Sequence, residues 1–129
     1  MNEIEHCSSL LGMAQKDLNA MSAMEDSKLF AEEIFGFHTQ QAVEKTLKSW
    51  LAFLNIEYPF RHDLAELLNL LEQNGAEISG YKKFIIFTPF AVEFRYDSSD
   101  VDEFMDRKKI CAEVQELLVH VQKLITPKS

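Results

Sequence analysis

Cysteine, glycine and proline are scarce in this 129-residue chain, with 2, 4 and 3 copies, and tryptophan occurs once. Cys7 and Cys111 lie far apart and neither has a C-x-x-C partner, so they make neither a disulfide framework nor a thiol metal motif, and reduced thiols in a cytoplasmic protein are expected. So little Gly and Pro argues against the turn-dense all-β architectures. No run approaches the roughly eighteen consecutive apolar residues that a membrane span requires. The opening Met1-Asn2-Glu3-Ile4-Glu5-His6 is acidic where a secretory leader would be basic. Basic residues are in the minority too: 13 Lys and Arg against 21 Asp and Glu give a formal net charge of -8. That field opposes sequence-blind adhesion to nucleic acid and leaves room only for a small basic cleft.

What the chain has in quantity is apolar side chains at helical spacing. At 47% hydrophobic, one domain over residues 1–129 can bury about two-thirds of its unfolded surface, enough for a core without disulfide or metal. Ile4, Cys7, Leu11, Ala14, Leu18 and Met21 step by three and four and predict a first amphipathic helix, with Asn2 and Glu5 as a capping pair. A second, long helix is expected over about residues 29–54, interrupted only by Gly36 and ending before Tyr58-Pro59. Leu64, Leu67, Leu68 and Leu71 mark a third over about residues 63–73, stopped at Asn74-Gly75. Residues 81–96 read as two short helical pieces, because nothing else in the chain supplies a strand for Phe84-Ile85-Ile86-Phe87 to pair with. Ile110, Val114, Leu117, Val121 and Leu124, with Leu118 and Ile125 beside them, predict a last helix over about residues 100–125, capped by Asp100 with Glu103. The fold class is all-α.

Three places carry candidate chemistry. On the second helix, Gln41, Glu44 and Lys48 continue the direction of Ile34 and Phe37 while Val43, Leu47, Trp50 and Leu54 gather elsewhere. That polar stripe, with Lys45, either turns to solvent or lines a cleft where its groups must pair. Arg61-His62-Asp63 precedes the third helix, where His62 or Asp63 can cap it. Arg95-Tyr96-Asp97 precedes the last helix: its guanidinium can grip a phosphate or pair with Asp97 or Asp100. The Glu44 and Asp63 carboxylates are placed to neutralise Lys45 and Arg61. Lys82-Lys83 and Arg107-Lys108-Lys109 read as solvated faces. His6, His38, His62 and His120 show no zinc-ligand spacing with a third ligand, so neither a metal nor a cofactor is expected.

The run Phe37-His38-Thr39-Gln40-Gln41-Ala42-Val43-Glu44-Lys45-Thr46-Leu47-Lys48, then His62-Asp63-Leu64, then Phe94-Arg95-Tyr96 before a long helix, resembles the HEPN domain family in order and spacing over nearly the whole chain. The resemblance implies an up-and-down bundle of four to five helices that commonly forms a two-fold dimer. HEPN proteins often work beside a small nucleotidyltransferase partner in a toxin–antitoxin-like two-gene system, and active members are metal-independent ribonucleases that use an arginine followed four to six residues later by a histidine. Here Arg95 is followed by Tyr96, Asp97, Ser98, Ser99, Asp100, Val101 and Asp102, and the next histidine is His120. The resemblance therefore points to a non-enzymatic module that binds a nucleotide or the partner protein. Lys45, Lys48, Arg61, His62, Arg95 and Tyr96 would be its ligand-binding residues, supported by Gln41, Glu44, Asp63 and Asp97. The alternatives are a divergent ribonuclease acting through Arg95 and His62, and a helical dimerisation scaffold without ligand.

Overall fold

Cys7, Leu11, Ala14, Leu18 and Met21 fall on one stripe of a helix. In the computed structural model, which describes residues 3–26, 29–93 and 106–126, they are the buried face of α1 (Glu3–Ala23), while Ile4 stays exposed at the end of the stripe. α2 (Glu32–Phe53) is the central element and buries Phe35, Ala42, Val43, Leu47, Trp50 and Leu51. It is shorter than the sequence implies at both ends. Leu29 and Phe30 precede it in a turn, and Ala31 leads in with an extended backbone and no side-chain cap. Nor is Pro59 what stops it: Asn55 adopts a left-handed φ of 62°. The N–H groups of Asn55 and Ile56 then donate back to Ala52 O at 3.0 Å and Leu51 O at 2.9 Å, which satisfies carbonyls of the last turn. α3 (Leu64–Gln73) ends the same way at the expected place, with Gly75 at a φ of 89° and Ala76 N–H on Leu71 O at 3.0 Å.

Beyond α3 the chain makes a 3-10 helix (Ser79–Phe87) that turns Phe84 and Phe87 inward, then, past Thr88-Pro89, the single turn α4 (Phe90–Glu93). These are short helical pieces as expected there; residues 94–96 lie outside the described residues. Gly36 lets α4 come close, because a Cβ at that position would sit 2.5 Å from the Phe90 ring. α5 (Arg107–Ile125) buries Cys111, Val114, Leu117, Leu118, Val121 and Ile125. Its inward face is turned toward Cys111 and Leu118, so Leu124 is exposed and Ile110 only half-buried. Asp106 caps it by accepting from Lys109 N–H at 3.1 Å; the cap expected at Asp100 and Glu103 lies outside the described residues.

α1 and α2 run antiparallel: Ser49 Oγ donates to Cys7 O at 2.9 Å near one end of the pair, and Asp17 meets His38 near the other. α5 packs on both, while α3, α4 and the 3-10 helix cover the remaining flank of α2. Among the described residues there is no strand, and the chain is an all-helical bundle. Arg107 corrects the reading of residues 107–109 as a solvated basic run. Its guanidinium is buried, donates to Met24 O at 2.7 Å and Phe30 O at 2.9 Å, pairs with Glu32, and lies over the Phe35 ring. It ties the start of α5 to both ends of the α1–α2 connection.

Candidate functional site

Positions i and i+4 of a helix face the same way, so Gln40, Glu44 and Lys48 form one row along α2. The row is covered where the chain returns from Asn55 to the start of α3. Glu44 is 4% exposed, and a carboxylate in such a place must be fully hydrogen-bonded or lose its charge. It is fully bonded. Oε1 accepts from Gln40 Nε2 and from His62 Nδ1, each at 2.8 Å, and Oε2 accepts from Lys48 Nζ at 2.8 Å. Gln40 Nε2 also reaches the His62 carbonyl at 3.2 Å, and Gln41 Nε2 donates to Gln40 Oε1 at 2.7 Å. Burial alone pushes the Glu44 carboxyl upward, but the hydrogen bonds from Lys48, Gln40 and His62, with the Lys48 charge, outweigh it and hold the group below the usual carboxylate value. An ionised Glu44 only accepts, so His62 Nδ1 carries the proton, which leaves Nε2 on a side chain that is 53% exposed. Lys48 Nζ stands 5.5 Å from the centre of the Tyr58 ring, and burial, followed by the charges of Cys7 and Glu44, raises the Tyr58 hydroxyl and keeps it neutral.

The structure thus brings Gln41, Glu44, Lys48 and His62 together. It does not bring Lys45 with them: Lys45 Nζ donates to Asp17 Oδ2 at 2.7 Å, and the same carboxylate accepts from His38 Nδ1 at 2.9 Å. The pairing of Glu44 with Lys45 expected from the sequence is therefore replaced by Glu44 with Lys48 and Lys45 with Asp17. Arg61 pairs with Glu66 and not with Asp63. Asp63 is spent as the α3 cap, its Oδ1 accepting from Ala65 N–H at 3.0 Å and Glu66 N–H at 3.3 Å. Arg95, Tyr96 and Asp97 lie outside the described residues. His120 is exposed and packs against the rings of Trp50 and Tyr81, away from the Glu44 row. No group of three or more His, Cys, Asp and Glu side chains among the described residues is arranged to hold a metal ion.

Sequence reasoning passed over Gln40, which is fully buried and joins Glu44 to the His62 loop; its i,i+4 spacing to Glu44 was the available signal. It also passed over Asp17, for which the sequence offers no signal, since a carboxylate on the edge of an α1 stripe looks solvated until α2 is docked. A groove of about 380 Å³ between α1 and α5 is lined by Leu11, Gly12, Gln15, Leu118, Gln122 and Ile125 among others, with no charged side chain. It offers a phosphate no counter-charge, whereas the Glu44 row ends in Lys48.

The family model for the HEPN domain matches residues 7–126. Comparison with curated proteins and with solved structures gives no match. The match takes in all of α2 to α5 and most of α1, on an all-helical bundle, and the chain belongs to the HEPN domain family.

Proposed function

We propose that the chain is a helical module that binds a phosphate-bearing ligand, a nucleotide or a segment of RNA, at the corner where α2 meets the start of α3. The observation that carries this reading is Glu44, a buried carboxylate whose donors Lys48 and His62 are held in place before any ligand arrives. Fixing donors in advance lowers the ordering cost of binding. Lys48 and Arg61 supply the positive charge and His62 Nε2 a hydrogen-bonding position beside it. Lys45 is not part of this corner, its charge being taken up by Asp17 on α1. Arg95 and Tyr96, outside the described residues, are proposed as further ligand contacts on the strength of the motif order alone. Family membership supports a setting in which the module pairs with a second copy of itself or a small nucleotidyltransferase.

Calorimetric titration with adenosine monophosphate and with a single-stranded RNA hexamer tests the reading. Saturable binding is expected, weakened at least five-fold by Arg61→Ala, whose ion pair with Glu66 is exposed, and by His62→Ala, which also removes a donor from Glu44 and is compared after its fold has been checked by circular dichroism. Absence of heat from both ligands overturns it.

A second reading, a metal-independent ribonuclease, draws on one observation. A histidine whose Nδ1 is fixed on a carboxylate presents Nε2 as a general base. RNA incubated in EDTA should then be cut, and cutting should disappear in His62→Ala; intact RNA ends that reading.

A further inference from the structure

The loop that carries His62 also carries Phe60, whose side chain is 99% exposed, the most exposed of the large apolar residues described. A phenylalanine left in water forgoes the stabilisation that burial would give its ring, and the loop around it is not slack. On one side the chain is fixed by the Ile56 N–H bond to Leu51 O. On the other it is fixed by the His62 ring and carbonyl on Glu44 and Gln40, and by Asp63 capping α3. Tyr58, two residues before, is half-buried with Lys48 against its ring. Pro59 then limits the backbone further. Phe60 is therefore presented by an anchored strap rather than stranded on a loose one.

We propose that Phe60 is a stacking platform for an unpaired nucleobase of the ligand bound at this corner. The proposal rests on the binding reading given above and adds its substrate class: a nucleotide or single strand whose base is free, in preference to duplex RNA or a phosphate without a base. Two features favour a base over a protein partner. The exposed residues nearest to Phe60 along the chain, Glu57, Arg61, His62 and Asp63, are all polar or charged, whereas the anchor of a protein interface sits at the centre of an apolar patch depleted of charge. An isolated aromatic beside cations is the arrangement used for unpaired nucleotides, ring to base and cation to phosphate. Two residues of chain span at most about 7 Å, so the Phe60 ring, the Arg61 guanidinium and the His62 imidazole are within reach of one nucleotide.

The test compares wild type with Phe60→Ala, Phe60→Leu and Phe60→Trp. The probes are adenosine monophosphate, ribose 5-phosphate, single-stranded hexa-adenylate and that hexamer paired with its complement. Base–aromatic stacking corresponds to a loss of roughly five- to a hundred-fold on removal of the ring. Phe60→Ala and Phe60→Leu should therefore lose about ten-fold in affinity for adenosine monophosphate and the single strand, with ribose 5-phosphate unchanged. Phe60→Trp should retain binding and show saturable fluorescence quenching, which the buried Trp50 will not. Nucleotide binding that survives Phe60→Ala overturns the platform while leaving the corner reading intact. So does equal weakening for ribose 5-phosphate, or a change of sedimentation in Phe60→Ala without a change in affinity, which would assign the ring to a protein contact. Wild type that binds no probe removes the corner reading and the platform with it.

Discussion

A carboxylate shut away from water must find its donors in the protein, and Glu44 finds three. Breaking such a set is costlier than never having made it, because Lys48 would be left without its counter-charge. Glu44→Gln should destabilise the fold by about 3 kcal/mol, toward the low end for a buried pair because Lys48 can swing its ammonium to solvent. The same group sets an acid limit. Its folded pKa lies below the ordinary value of 4.5, so the stability it contributes is complete above that value and fades as pH falls through the folded pKa. Urea denaturation from pH 7 to pH 3 should show the gap between wild type and Glu44→Gln narrowing only below about pH 4.5; a gap constant down to pH 3 contradicts this. The importance of Glu44 was legible as a polar break in the α2 stripe, but its partners were not. Whether a carboxylate meets Lys45 or Lys48 depends on which side of α2 is covered, and only the docked loop decides that. Arg107 shows the same limit from the other direction: charge order along a chain reads as surface until two carbonyls and a carboxylate from a distant turn close around the guanidinium.

At the scale of elements, the helices were legible wherever apolar periodicity was long and the stop was local chemistry. The α3 stop at Asn74-Gly75 is read from two residues, because glycine enters the left-handed region without penalty. The α2 stop was misread because Asn55 makes the same turn with a side chain present, and a nearby proline is the louder signal. Gly36 gives the test at this scale. In an exposed helix, alanine for glycine would gain about 1 kcal/mol, but here the added methyl meets the Phe90 ring at 2.5 Å. Overpacking of a filled core costs about 1–3 kcal/mol, so Gly36→Ala should lower Tm by a few degrees. A raised Tm would show that α4 yields freely.

For the whole molecule, a net charge of -8 means that a phosphate ligand is drawn by the local arrangement at the corner against a repulsive background. With two cations in contact, log Kd for single-stranded RNA should rise with log salt at a slope of about 1.4; a slope several times steeper would require a basic surface that the described residues do not form. Fold class and family could be read from the chain, because helical period and motif order are properties of the sequence itself. The corner could be read only in part, because contact between residues 40–48 and 57–63 depends on how α2 and α3 meet.

The claim that this corner holds the ligand is tested most directly by following backbone amide NMR signals through a titration with single-stranded hexa-adenylate. Saturable shifts should centre on residues 40–48 and 57–64. Unmoved signals at excess ligand, or shifts centred on the α1–α5 groove around Leu11 and Leu118, would contradict the account.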